Sequence, residues 1–167
     1  LYKAELFNGV RFPQGINSED YYVYAIIYNK TQKLYYNNQP LYYYRIRENS
    51  ICTIPVINEH SFDKIIISDK VYNYIKMNFP EQIEDAKAFR TIAIFSIYYV
   101  TLRQKHSCLQ RKKWKQDLRS VWKDTMKNKK IGIEFKVKYT IMSLCPLGYV
   151  KMKEQLRKHV GYKSKKE

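Results

Sequence analysis

Two adjacent acids, Glu19 and Asp20, are the residues of this sequence best placed for acid–base chemistry. They follow Ser18, whose hydroxyl offers a cap where a helix is predicted to begin. Acids in a first helical turn stabilise the positive end of the helix dipole. A carboxylate that faces a ligand can also take a proton from it as a general base. The spacing alone favours the dipole interpretation.

A second polar group follows a tyrosine-rich segment. Tyr44, Arg45, Arg47 and Ser50 lie at the end of a predicted strand and in the loop after it. The planar guanidinium of arginine binds two phosphate oxygens at once, so such a loop could close over a diphosphate. A solvated strand end explains the two arginines equally well, and the pattern leaves both interpretations open.

Helices dominate the predicted architecture. Helical periodicity covers residues 19–29, 60–78, 81–105, 110–127 and 133–158, the last broken near Pro146. Residues 33–36 and 40–47 are rich in Tyr and predict short strands. Because two strands do not make a stable sheet by themselves, we expect them to join a sheet whose other strands lie elsewhere.

Positive charge is concentrated in the C-terminal part of the chain. Residues 103–167 hold 20 Lys and Arg against five acids, a net charge of +15, whereas residues 1–102 carry a net charge of +1. This asymmetry predicts a polyanionic partner, which could be anionic lipid headgroups, a lipid-linked diphosphate or nucleic acid.

The helix predicted over residues 110–127 carries both tryptophans of the chain. Trp114 and Trp122 fall on one face, and Lys113 and Arg119 belong to the basic residues around it. Such an arrangement is typical of a helix that lies on an anionic membrane surface. Ordinary packing of the apolar face against a neighbouring helix is the alternative.

Several other kinds of site are not supported. The three cysteines are far apart and form no CxxC pair, so the sequence supports neither a disulfide framework nor a zinc site and fits a reducing cytoplasm. The three histidines are equally scattered, and we predict surface positions for them. The uncharged segments 91–102 and 139–150 are shorter than the roughly 20 residues that a membrane-spanning helix needs.

Three blocks within the first 51 residues resemble bacterial family 2 glycosyltransferases. Residues 1–15 resemble the segment after that family's metal-binding motif, and Glu19-Asp20-Tyr21-Tyr22 matches its Glu-Asp acceptor-site motif. Residues 40–51 resemble the family's following strand and its Tyr-Arg…Ser loop. The order and spacing of the blocks agree, but this chain contains no Asp-x-Asp motif, and its loop after Gly15 is shorter than in the family.

The resemblance implies an α/β fold of the GT-A type, truncated to its C-terminal half. Residues 1–55 would be the acceptor-side part of the catalytic domain, and residues 56–167 a basic helical extension. The fragment itself would be mostly α-helical with two or three short strands. The nucleotide-binding half would precede residue 1, so this piece by itself would be inactive.

The resemblance also implies an inverting sugar transfer from a UDP- or GDP-sugar to a glycan or lipid-linked acceptor. Asp20 would be the base, Glu19 would orient it, and Tyr44, Arg45, Arg47 and Ser50 would bind substrate. A divalent metal, Mg²⁺ or Mn²⁺, would be held mostly by residues outside this chain. We expect the enzyme to lie peripherally at the cytoplasmic face of the bacterial cell membrane.

A basic helical module that binds membranes or nucleic acid without catalysis is the alternative function. The isoelectric point of about 9.7 would suit nucleic acid. However, no base-reading motif is present, and the tyrosines do not alternate with the basic tail as stacking platforms would. Because neither kind of module gives the acidic pair a role, we expect sugar transfer and no nucleic-acid partner.

Overall fold

The computed structural model describes residues 2–45, 59–104 and 108–163. Seven α-helices occupy these residues: α1 Glu19–Lys30, α2 Asp63–Asn78, α3 Ile83–Arg103, α4 Cys108–Ser120, α5 Trp122–Lys127, α6 Ile133–Leu144 and α7 Pro146–Lys163. Short 3₁₀-helices cover Ala4–Phe7, Glu59–Phe62 and Pro80–Gln82. The helical predictions are therefore confirmed, except that the one predicted over residues 110–127 is two helices separated at Val121.

The chain divides into two compact units, Leu1–Val71 and Tyr72–Glu167. The division falls inside α2, whereas the sequence predicts a domain boundary after residue 55. That predicted boundary lies outside the described residues and stays a prediction.

The first unit is built around α1. Val10, Val23 and Ile27 form its buried cluster, with Leu6 and Phe7 packed against it. Gly9 has a φ of 74°, in the left-handed region that a side chain disfavours. This turn follows the first 3₁₀-helix and allows Val10 to be buried directly after it.

The start of α1 differs from the prediction in one respect. Ser18 has a φ of 66°, in the left-handed region, and its side chain makes no capping hydrogen bond. The predicted hydroxyl cap is therefore wrong, because an N-cap side chain reaches the first turn from extended backbone.

The two predicted strands do not form within the described residues. Residues 33–36 and 40–45 have no regular secondary structure there, and Tyr35 and Tyr43 are 94% and 98% exposed. A strand is stabilised by hydrogen bonds to a neighbouring strand, and no such neighbour is present among the described residues. Pairing with a sheet elsewhere, and with it the α/β fold, stays a prediction.

The second unit surrounds α3, which contacts α4, α5 and α7. Of the apolar stripe along α3, Ala86, Ala93, Ile94 and Ile97 are buried, and Ile83 is half-buried. Burial extends beyond this stripe, because helices cover α3 on several sides. None of the helices in the described ranges has the length and apolar character needed to cross a bilayer.

Two buried polar residues hold the outer helices of this unit in place. The amide nitrogen of Asn128 donates to the Glu84 carbonyl at 2.7 Å, and its amide oxygen accepts from the Lys130 N–H at 2.8 Å. The hydroxyl of Tyr139 on α6 donates to the Leu118 carbonyl on α4. Burial raises the pKa of Tyr139 to about 12, so this hydroxyl stays protonated at neutral pH.

Candidate functional site

The acidic pair lies where the sequence predicts it. Glu19 and Asp20 occupy the first turn of α1, and both are half-buried. They precede the fully buried Val23 by four and three residues, so they lie at the edge of the helix face that packs inward. The placement of Asp20 in a first helical turn is confirmed.

A third carboxylate, Asp63, holds the backbone that leads into this turn. Asp63 is the first residue of α2 and is only 7% exposed. Its Oδ2 accepts a hydrogen bond of 2.8 Å from the backbone N–H of Asn17. Because Ser18 supplies no side-chain cap, this bond fixes the entry of the chain into α1 and thereby the position of Glu19 and Asp20.

His60 completes this arrangement. Its Nδ1 lies 3.0 Å from the same Oδ2 of Asp63, and the ring is partly exposed. Because an ionised carboxylate only accepts hydrogen bonds, the contact is a hydrogen bond in those forms of His60 that carry a proton on Nδ1. Close by in the first unit, the Lys64 ammonium lies 5.5 Å from the ring centre of Tyr21, the residue after Asp20.

Sequence reasoning missed the Asp63–His60 pair. The prediction of a surface position for His60 overlooked its carboxylate partner three residues later. The i, i+3 spacing of His60 and Asp63 at the start of a predicted helix was the available signal. The hydrogen bond to Asn17 spans 46 residues of sequence and could not be read from local pattern.

We predict that Asp63→Ala lowers the free energy of unfolding by about 1–3 kcal/mol, since it leaves the Asn17 N–H without its acceptor. Asp63→Asn is the matched control, because its amide oxygen can still accept that bond. Urea unfolding of both variants is the measurement. Equal stability of Asp63→Ala and the unsubstituted chain would contradict the anchoring role.

The predicted substrate-binding residues lie in a different setting. Tyr44 and Arg45 are exposed and lie outside regular secondary structure, and Arg47 and Ser50 lie outside the described residues. Among the residues described, no hydrogen bond or ion pair joins Arg45 to Glu19 or Asp20. The assignment of these residues to substrate binding therefore stays a prediction.

A groove of the first unit lies at the far end of α1 from the acids. It has a volume of about 850 Å³ and is lined mainly by tyrosines and lysines, among them Tyr2, Tyr28, Tyr35, Lys3 and Lys33. Tyr28 follows Asp20 by eight residues, which corresponds to about 12 Å along the helix axis. The groove is therefore not the pocket of the acidic pair.

The described residues do not fit a metal site. Nowhere in the described ranges do three or more His, Cys, Asp or Glu side chains converge on one point. Divalent cations in sugar-transfer chemistry need several carboxylate or imidazole ligands around one centre. The expected Mg²⁺ or Mn²⁺ is consequently not assigned to any of the described residues.

The tryptophans of the basic segment face inward. Trp114 on α4 is 7% exposed, and Trp122 on α5 is half-buried, with its ring 5.5 Å from that of Tyr139. Lys113 is exposed and stacks over the Trp114 ring at 4.9 Å, and Arg119 is exposed. Helix α4 packs against α3. This agrees with the alternative interpretation, in which the apolar tryptophan face packs against a neighbouring helix. Contact with a membrane through Trp114 would require the unit to open.

The chain shows similarity to a known glycosyltransferase over part of its length. A segment of 54 residues is 43% identical to part of the glycosyltransferase GlyA of Streptococcus pneumoniae serotype 4. The matching segment makes up 32% of this chain and 8% of that relative. No protein-family description and no solved structure matches the chain. The similarity is therefore to a small part of that glycosyltransferase.

Proposed function

We propose that this chain is the acceptor-side part of an inverting bacterial glycosyltransferase of the family 2, GT-A type. The observation that carries the proposal is the 43% identity over 54 residues to a pneumococcal glycosyltransferase. The position of Asp20 in a first helical turn, whose approach is held by Asp63 of α2, is compatible with this assignment. The donor would be a UDP- or GDP-sugar, and the acceptor a glycan or a lipid-linked glycan.

In this proposal Asp20 supplies the proton chemistry. Its carboxylate takes the proton of the acceptor hydroxyl while the hydroxyl oxygen forms a bond to the anomeric carbon of the donor sugar. The bond from that carbon to the nucleoside diphosphate breaks on the opposite side, which inverts the configuration. Glu19 would orient Asp20 or hold a sugar hydroxyl. Asp63 acts only indirectly, as a positioning residue for the first turn of α1.

The remaining substrate contacts would come from the loop after the tyrosine-rich segment. Arg45, Arg47 and Ser50 would hold the donor diphosphate, and Tyr44 would stack on a sugar ring. Tyr44 and Arg45 are both exposed at the surface of the first unit. The metal-binding residues and the nucleotide-binding strands would belong to the rest of the enzyme.

The basic second unit would hold the enzyme at the cytoplasmic face of the cell membrane. The net charge of +15 on residues 103–167 supports attraction to anionic lipid. A lipid-linked acceptor is accessible only to an enzyme at the bilayer, so membrane attachment would bring the enzyme to its acceptor.

The intact protein, supplied with UDP- and GDP-sugars and a bacterial membrane fraction as the source of acceptor, is expected to release nucleoside diphosphate as labelled sugar enters the acceptor. The 167-residue chain alone is expected to transfer nothing. Reactions without membrane fraction correct for hydrolysis of the donor. Failure of every donor to label any acceptor would overturn the proposal.

A further inference from the structure

The outer face of α6 carries a row of exposed aliphatic side chains. This face, called here the aliphatic stripe, consists of Ile133, Val137, Ile141 and Leu144. Spacings of four, four and three residues place all four on one side of the helix. Ile133 and Leu144 are 74% and 79% exposed, so the stripe is not part of the core of the unit.

The opposite face of α6 packs into the unit. Tyr139 and Met142 are fully buried there, and the Tyr139 hydroxyl is bonded to α4. The orientation of α6 is thus fixed by its inner face, and the aliphatic stripe must face outward. A contiguous aliphatic row of this kind on a charged protein marks a contact surface.

The apolar surface extends beyond the stripe itself. A groove of about 440 Å³ runs beside it, with Met126 of α5 on its other wall. Leu147, at the start of α7, is 57% exposed just beyond Leu144. From Ile133 to Leu144 the stripe is about 17 Å long, as calculated from the helical rise.

The chain segment that carries this surface is rich in lysine. Residues 123–138 contain six lysines, no arginine and two acids. Lys127 and Lys129 are exposed in and after the last turn of α5, and Lys138 is exposed on α6 itself. Lys136 lines the groove, and its ammonium donates to the Met126 carbonyl at 2.9 Å.

We propose that the aliphatic stripe of α6 is a membrane-contact surface, which lies in the headgroup region of an anionic bilayer. Aliphatic side chains enter the boundary of the acyl chains, while the lysines extend to the lipid phosphates around them. The proposal specifies the membrane attachment in the proposed function, but its geometry does not depend on sugar transfer.

Other occupants fit this surface less well. Protein interfaces are depleted in lysine and enriched in arginine and aromatic residues, the reverse of the composition here. A second copy of the chain would bring two lysine-rich surfaces together, which like-charge repulsion opposes. Nucleic acid would engage the lysines but gives an aliphatic row no partner.

The contact surface is therefore on α6, and not on the tryptophan face of α4 that the sequence suggests. Trp114 is buried against the rest of its unit, whereas the stripe is already outside. Exposed residues can insert into a bilayer without unfolding any helix, which is what reversible attachment requires.

The test uses vesicles of phosphatidylglycerol and phosphatidylcholine in equal parts, with phosphatidylcholine vesicles for comparison. Ile133→Gln/Leu144→Gln removes two exposed side chains of the stripe, and we expect binding of the full chain to weaken by about tenfold or more. Gln is accepted in helices, so α6 should remain folded, which circular dichroism checks.

The matched control is Met77→Gln/Leu156→Gln. Met77 and Leu156 are 82% and 58% exposed in the same unit but lie outside the stripe. We expect the control to bind like the unsubstituted chain. Lys127→Gln/Lys129→Gln should weaken binding at low salt by about fivefold per lysine, with a smaller effect at high salt.

Three results would overturn the proposal. The first is that the unsubstituted chain does not bind anionic vesicles, or binds neutral vesicles equally strongly. The second is equal loss of binding in the stripe variant and the control. The third is that the stripe variant keeps its vesicle binding but changes oligomeric state in sedimentation, which would make the stripe an interface between copies. Binding that follows the stripe supports the proposal even where no donor sugar is turned over.

Discussion

Asp20→Asn in the intact protein is expected to lower kcat by about 10²–10⁴, the usual loss when a general base is removed. The amide has nearly the same shape but cannot take the proton of the acceptor hydroxyl. The KM for the donor should change little, because the donor diphosphate is bound elsewhere. Product formation from a labelled nucleotide sugar, followed in steady state, gives both constants.

Asp124→Asn provides the control for this experiment. Asp124 is exposed on α5 in the second unit, so the substitution removes the same charge without touching α1. Its kcat should equal that of the unsubstituted enzyme. If Asp20→Asn retains full turnover, Asp20 is not the base. The acids of α1 then act only by stabilising the positive end of the helix dipole.

Leu118→Ala is expected to lower the free energy of unfolding by about 2–5 kcal/mol, because it leaves a cavity in the core of the second unit. Leu118 is fully buried on α4, a helix that contacts both α3 and α6. Its carbonyl also accepts a hydrogen bond from the Tyr139 hydroxyl. This bond holds α4 and α6 in place and so restricts how far the neighbouring side chains can move into the cavity. Chemical denaturation followed by circular dichroism measures the change.

Leu156→Ala makes the same chemical change at a position that is 58% exposed on α7. Exposed substitutions usually change stability by less than about 0.5 kcal/mol. Similar losses for Leu118→Ala and Leu156→Ala would show that α4 is not packed as described.

The helical part of the fold could be predicted from sequence because its signals are local. Pro80 and Pro146 mark helix starts, and apolar periodicity marks the lengths between them. The buried Ala86, Ala93 and Ile94 of α3 follow from the same period. The break at Val121 was missed, since no proline or glycine marks it.

The exposed tyrosine segments show that a high β-strand propensity does not by itself produce a strand. Tyr35 and Tyr43 belong to a residue type that favours strands, yet neither is in a strand here. Strand formation depends on a hydrogen-bonding neighbour, which is often distant in sequence, so composition alone cannot produce a strand.

The sequence by itself determined the helices, the acidic pair at the start of α1 and the concentration of positive charge in residues 103–167. Each depends on residues within a few positions of one another or on a simple count. Only the tertiary structure decided that Asp63 holds the approach to α1, across 46 residues of chain. It also decided that Trp114 is buried while the aliphatic stripe of α6 is exposed. Both faces are apolar in sequence, and the one that is covered depends on which neighbouring helix packs against it.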